Sequence, residues 1–253
     1  MALGPIDTHV HLTDLTNQAK SIENAKNNSL SGIIAVSTKI ESFFITIDFA
    51  ESHRGFIYAA LGIHPTEFID QKIEEASKVI RSNSGKIKAI GEIGLDYWFK
   101  PVRKDKVMKE QQREFYKTQL QIATELDLPV IIHSRGAWED CISLAREQKC
   151  SSGVFHWYSG PTDVLTEIIE SGFYVSCTPA IEYSPELRMA MKAAPIERIL
   201  VETDSPVWIK TLNRPAEPAD VNLAVTHLAA LKELTIDEVV RETNRNAREL
   251  FRI

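Results

Sequence analysis

Short apolar runs rich in Val and Ile recur along the chain at residues 5–10, 32–36, 56–61, 87–91, 129–132, 153–155, 173–176 and 199–201. They are continuous rather than alternating, which is the pattern of strands buried on both faces. Longer stretches with helical spacing lie between them. Residues 110–128 place Phe115, Leu120, Ile122, Ala123 and Leu126 at such spacing, and residues 161–171 put Val164, Leu165, Ile168 and Ile169 on one face before Gly172, a residue suited to ending a helix. After the eighth run, residues 219–232 and 235–251 read as two more helices, the second opened by a capping-box pair, Thr235 and Glu238. Eight strands alternating with helices predict a parallel sheet covered by helices. The expected fold is therefore an α/β (β/α)₈ TIM barrel, a single domain over residues 1–253, with an extra C-terminal helix sealing the outside.

Length agrees with this reading, because a barrel of this kind needs about 250 residues, although 253 residues alone would also permit two ordinary domains. A hydrophobic content of 43% and 25% charged residues are ordinary for a soluble chain with a sizeable core. Charge narrows the function: a formal net charge of -6 opposes the broad basic surface of a protein that coats nucleic acid. Any polyanion must be held locally, by metal ions or a few Lys and Arg residues. Cys141, Cys150 and Cys177 form no CxxC pair, and their odd number and scattered spacing suit a reducing cytoplasm rather than a disulfide framework. The N-terminal segment MALGPIDTHVHL shows no basic leader before an apolar run, and no apolar stretch approaches membrane-spanning length. The expected location is cytoplasmic, with no membrane association and no obligate protein partner.

The candidate chemistry sits where the strands stop. His9 and His11 flank Val10 at the end of the first run, and the strand period of two puts both imidazoles on one face, where one metal ion can take both. Asp7 lies two residues earlier on that face and is placed to orient a ligand. His64 follows the third run, Glu92 the fourth, His133 the fifth, His156 the sixth and Asp204 the eighth. In a parallel barrel all strand C-termini open onto one face, so residues spread over most of the chain converge. One zinc ion is saturated by about four ligands. Six candidates (His9, His11, Glu92, His133, His156 and Asp204) therefore imply two divalent ions, Zn, Mg or Mn, sharing a carboxylate. His53 and His227 fall within helical patterns and read as ordinary helix residues.

The four tryptophans, Trp98, Trp138, Trp157 and Trp208, all follow strand ends, where their rings either stack bases and line a pocket or pack the rim of the loops. Arg135, Lys210 and Arg214 lie in the same loops and can pair with a phosphate. Lys100, Arg103, Lys104 and Lys106 form a basic cluster after Tyr97 and Trp98, a pattern that is usually just solvated. Cys177, at the end of the seventh run, reads as a small buried side chain.

These residues occur in segments that resemble the signature blocks of the TatD family of metal-dependent deoxyribonucleases: IDTHVH (6–11), LGIHP (61–65), AIGEIGLDY (89–97), PVIIHSR (129–135), FHWYSG (155–160), VETDSP (201–206) and NARELF (246–251). The resemblance covers nearly the whole chain and implies an amidohydrolase-like barrel with a two-metal centre. It implies one ion on His9, His11, Glu92 and Asp204, a second on Glu92, His133 and His156, and Glu92 bridging. His64 and Glu202 match positions near the substrate or behind the ligands. The implied activity is DNA hydrolysis, often 3′ to 5′ exonuclease action, and in some relatives removal of D-amino acids from tRNA. The expected enzyme is thus a deoxyribonuclease acting on single-stranded or frayed ends through a metal-activated water. Asp204 is the expected base, with Glu92, His64 and Glu202 completing the catalytic group, and His64, Arg135, Tyr97, Trp98, Trp208 and Arg214 contact substrate. A D-aminoacyl-tRNA deacylase or a small-molecule ester or amide hydrolase is the alternative on the same two-metal site. Two segments depart from the family pattern and bear on substrate choice: Ala216 and Glu217 stand where an Asn-Glu pair is common, and residues 176–180 read SCTPA where Ser-Phe-Ser-Gly is usual. Both are expected at the mouth.

Overall fold

The computed structural model describes residues 4–253, so the first three residues of the N-terminal segment and of the expected domain lie outside the described residues. Eight parallel strands form one sheet in chain order: β1 (Ile6–Val10), β2 (Gly32–Val36), β3 (Ile57–Leu61), β4 (Ile87–Gly94), β5 (Val130–His133), β6 (Gly153–Phe155), β7 (Tyr174–Cys177) and β8 (Ile199–Val201). Each strand is followed by helix: α1 (Gln18–Asn27), α2 (Ile40–Ser52), α3 (Ile73–Ser82), α4 (Lys106–Leu126), α5 (Trp138–Glu147), α6 (Thr162–Glu170), α7 (Pro185–Ala193), and after β8 both α8 (Val221–Lys232) and α9 (Ile236–Phe251). The ring closes at its C-terminal end, where Val10 bridges Ser205, His11 N–H donates to Ser205 O at 2.9 Å and Asp204 N–H donates to His9 O at 3.0 Å. The architecture is a (β/α)₈ barrel. No helix of the described residues is long and apolar enough to cross a membrane.

Two apolar clusters follow from the strand period. Ile33, Ala35, Leu61, Ile90, Ile132 and Val175 pack outward against helix residues such as Phe43, Ile47, Leu120, Ile142 and Leu228. The alternate residues Ile34, Ala60, Ala89, Ile131, Val154 and Leu200 meet one another and Leu250 and Phe251 of α9. The extra C-terminal helix therefore plugs one end of the barrel. Its capping box is present, with Thr235 and Glu238 each bonding the other's backbone N–H.

Several bounds differ from the expectation for physical reasons. β4 continues three residues beyond Gly91, because that glycine is a close-approach residue and not a stop: a Cβ there would lie 2.6 Å from Ile131 Cβ. Glu92 is thus inside the strand. α4 starts at Lys106 because Asp105 accepts from Val107 and Met108 N–H and caps it there. The loop after β8 contains an unexpected antiparallel pair, β9 (Trp208–Ile209) with β10 (Arg214–Pro215).

Candidate metal centre

At the closing end of the barrel, β1, β4 and the turn after β8 bring four donor atoms together. His9 Nε2 and His11 Nε2 are 3.2 Å apart, and they lie 3.2 and 3.4 Å from Glu92 Oε2 and 3.6 and 3.2 Å from Asp204 Oδ1. A tetrahedral ion with bonds of about 2.0–2.1 Å requires donors about 3.3–3.4 Å apart, so these edges fit one. The other oxygen of Glu92 serves a second set: Oε1 lies 2.9 Å from His133 Nδ1, 2.8 Å from His156 Nε2 and 3.4 Å from His64 Nε2. His133 Nδ1 is in turn 3.2 Å from His156 Nε2 and 3.3 Å from His64 Nε2. Nitrogens facing nitrogens at this range bring lone pairs into conflict unless a cation or a shared proton lies between them. The donor set therefore fits divalent ions on both sides of Glu92.

Neighbouring groups hold these side chains. Asp7 does not touch the His9 ring. Its buried carboxylate accepts from Thr203 N–H (2.9 Å), Thr203 Oγ1 (2.6 Å) and His9 N–H (3.3 Å), tying β1 to the turn that carries Asp204. Asp204 itself adopts a left-handed φ of +55°, a region that Asp tolerates better than most residues. Glu202 lies behind the histidines: Oε1 accepts from Trp157 N–H at 2.8 Å and sits 3.4 Å from His156 Nδ1, and donor atoms of His9, His156 and Glu202 lie within 4.8 Å of one another. A carboxylate on the Nδ1 side leaves Nε2 free to ligate. His64 Nδ1 accepts from Thr66 N–H at 3.1 Å, so the neutral ring carries its hydrogen on Nε2 and presents a donor to the second set. His53, which caps the end of α2, and His227 on α8 lie outside the centre.

The charges answer one another. Burial alone would raise Glu92, but the imidazoles of His156, His64, His9 and His133 hold it well below the usual carboxylate range. Asp204 is likewise lowered against burial, chiefly by His11. Burial disfavours protonated His11, yet Asp204 and Glu92 raise it to about 9. His133 and His156 are raised by Asp96, Glu92 and Glu202 against the same burial, whereas burial prevails at His64 and lowers it.

A cavity of about 310 Å³ opens beside this centre, lined by His133, His156 and Asp204 together with Trp98, Arg135, Trp138, Trp157, Ser134, Ser159 and Val207. Of the expected substrate contacts, Trp98 and Arg135 line it. His64, Tyr97, Trp208 and Arg214 are not in its wall, His64 standing at the second donor set instead. The Tyr97 hydroxyl is taken by Asp140, Trp208 is exposed on β9, and the Arg214 guanidinium grips Asp220 at 2.7 and 2.8 Å. The departing segments back the mouth: Ser176 accepts from Trp157 N–H at 2.9 Å and Ala216 N–H donates to Val207 O at 2.8 Å, both behind residues of the cavity wall. Ala216 is buried, Glu217 accepts from Asn24 of α1 at 3.0 Å, and Cys177 is buried at the end of β7. Sequence reading missed Asp96, which accepts from His133 Nε2 at 3.3 Å and from Arg135 at 2.6 Å. The available signal was a further carboxylate in the same strand-end segment as Glu92.

A (β/α)₈ barrel with imidazoles and carboxylates converging at its strand ends defines a metal-dependent barrel hydrolase. The family model described as TatD related DNase matches residues 6–252, and the chain belongs to this family of enzymes. It is 33% identical over 257 residues to the uncharacterized metal-dependent hydrolase YabD of Bacillus subtilis, covering 98% of both chains. It is 31% identical over 263 residues to the putative deoxyribonuclease TATDN3 of Mus musculus, covering 99% of this chain and 89% of that one. The crystal structure of YJJV, a TatD homologue from Escherichia coli K12, superposes with a TM-score of 0.92 at 26% identity over all of both chains.

Proposed function

We propose that residues 1–253 form one hydrolase domain, a cytoplasmic deoxyribonuclease that removes nucleotides from the 3′ end of single-stranded or frayed DNA with two divalent ions, Zn, Mg or Mn. The observation that carries this reading is the division of Glu92 between two donor sets, one oxygen to each. The names of the mouse relative and of the family supply the substrate class. When bound, the ions supply a water acidic enough to ionise near neutral pH and positive charge against the phosphate.

In this reading His9, His11, Glu92 and Asp204 hold one ion, and Glu92, His133 and His156 hold the other. Asp204 enters through Oδ1, which leaves its second oxygen to take a proton as general base. His64, with its hydrogen on Nε2, donates to a phosphate oxygen or to the leaving oxygen, and Glu202 keeps His156 oriented. A cavity of about 310 Å³ stands at the lower end of small-ligand pockets, which suits a terminal nucleotide better than a duplex segment. Trp98, Trp138 and Trp157 offer faces for a base. The buried free thiols of Cys141, Cys150 and Cys177 support the cytoplasmic assignment.

The test is one preparation assayed on end-labelled DNA, RNA, D-aminoacyl-tRNA and chromogenic esters, with and without Mg²⁺ or Mn²⁺, alongside elemental analysis after metal addition. Metal-dependent shortening of single-stranded DNA from its 3′ end and about two ions per chain are expected. Turnover of the tRNA ester or small esters in place of DNA would replace the nuclease reading, and a chain that retains no metal would remove it.

A further inference from the structure

The pairing of β4 with β5 does not stop at the strand ends. Gly94 stands opposite His133, Leu95 N–H donates to His133 O at 2.9 Å, and Tyr97 N–H donates to Arg135 O at 3.0 Å. The approach is so close that a Cβ on Gly94, whose φ is +139°, would lie 1.9 Å from His133 O. Between the two donating residues, Asp96 points its carboxylate at the side chains of His133 and Arg135. It is wholly buried, and a carboxylate out of water requires donors on every side. They are present: Oδ1 accepts from Trp98 N–H (3.0 Å), Phe99 N–H (3.0 Å) and Arg135 Nε (3.1 Å), and Oδ2 from Arg135 Nη2 (2.6 Å) and His133 Nε2 (3.3 Å).

We propose that Asp96 is a positioning residue that fixes the tautomer and ring orientation of His133 and, through the same carboxylate, seats Arg135 and Trp98 at the cavity. An ionised carboxylate only accepts hydrogen bonds, so the His133 nitrogen facing Asp96 carries a hydrogen and cannot itself ligate. Nδ1 is then the ring's one remaining ligand atom, 2.9 Å from Glu92 Oε1 and 3.2 Å from His156 Nε2, where a divalent ion would displace the proton it shares with Glu92. Arg135 and the chain at Trp98 are held by the same two oxygens, so the second donor set and the cavity wall are assembled by one group. This rests on the reading of His133 Nδ1 as a donor to a divalent ion.

The isosteric change Asp96→Asn separates this role from a merely structural one. Two backbone N–H groups keep the amide oxygen at the Oδ1 position, which places the NH₂ at Oδ2, aimed at His133 Nε2 and Arg135 Nη2. A donor facing Nε2 selects the tautomer with hydrogen on Nδ1, where it blocks ligation, and a donor facing the guanidinium loosens Arg135. The experiment uses ¹⁵N-labelled full-length chain, recorded by long-range imidazole spectra at alkaline pH before and after Zn²⁺ addition, with the His133 signals assigned by their loss in His133→Ala. Wild type should show hydrogen on Nε2 whatever Nδ1 shares with Glu92, and Asp96→Asn should lose it from Nε2, hold it on Nδ1 and bind one of its two Zn²⁺ about 10–100-fold more weakly. A purely structural carboxylate would lower thermal stability and leave both tautomer and affinity unchanged, which overturns the proposal. Absence of hydrogen from Nε2 in the wild type overturns it without any variant, so a failure of Asp96→Asn to fold leaves the test intact. Retention of both ions by His133→Ala would instead sink the reading of His133 as an ion ligand, while the tautomer result would still stand on its own.

Discussion

His11 shows how a single residue connects burial to metal chemistry. Removing the imidazole from water favours its neutral form, but Asp204 at 3.2 Å and Glu92 at 3.4 Å favour the cation more strongly, so its pKa rises to about 9. The sign follows directly: below about pH 9 the metal-free ring holds a proton that an ion must displace, and above it the ring is already neutral. Mn²⁺ affinity should therefore rise with pH from 6 toward 9 and then level, with proton release at neutral pH. Calorimetric titrations in buffers of different ionisation enthalpy would measure it, and a pH-independent affinity without proton release would refute the charge state assigned to His11. Asp204 is a second case at this scale. Asn tolerates its left-handed backbone, so Asp204→Asn should keep the fold and lower kcat by about 10²–10⁴-fold if this carboxylate is the base. Near-normal turnover with metal content confirmed would place the base elsewhere. The residues that converge here were legible because each ends an apolar run. Asp96 and Thr66 were not, since their importance lies in what they touch across the barrel and no local period marks it.

At the level of elements, helix α4 holds the loops that carry the chemistry. Gln112 and Gln119 are seven residues apart, two turns, and so share one face. Gln119 accepts from Ile63 N–H at 2.7 Å and donates to Ile63 O at 3.1 Å, pinning the residue before His64. Gln112 donates to Pro65 O at 2.7 Å and accepts from Asp96 N–H at 3.0 Å, joining the His64 loop to the β4 loop. Replacing Gln119 with Leu leaves two buried backbone groups without partners, at a cost of about 1–3 kcal/mol for each. Urea denaturation should show a loss of at least that size, whereas Gln121→Leu, at an exposed position of the same helix, should stay within about 0.5 kcal/mol. Equal losses would show that the clamp is not special. The strands were legible from their apolar runs, and the helix from its spacing. The clamp was not, because a glutamine on a helix face reads as solvent-exposed until the loop it bonds is known. Nor was the β9–β10 pair, since two-residue strands are too short to show a period.

Taken as a whole, the molecule carries a net charge of -6, which repels a polyanion at a distance, so binding must come from contacts at the mouth. There the guanidinium of Arg135 is already engaged by Asp96 and that of Arg214 by Asp220, whereas Lys100, Arg103 and Lys104 in the loop after β4 and Lys106 at the start of α4 are exposed, with no carboxylate partner among the described residues. If one or two phosphates are neutralised, raising salt from 50 to 200 mM should weaken apparent affinity for single-stranded DNA by less than about tenfold. Stacking then has to supply much of the remainder. Trp98, 60% exposed at the cavity wall and edge-on to Trp138 with ring centroids 6.2 Å apart, is the face most accessible to an incoming base. Trp98→Ala should weaken oligonucleotide binding by about 1–3 kcal/mol, seen mainly in KM. It should leave hydrolysis of a minimal nitrophenyl phosphodiester nearly unchanged, because binding distant nucleotides is separable from the chemistry. His133→Ala, by contrast, should impair both substrates alike. A steep salt dependence, of a thousandfold or so over that range, would point to an extended cationic groove. An equal effect of Trp98→Ala on both substrates would mean that the tryptophan supports the centre and not the nucleic acid.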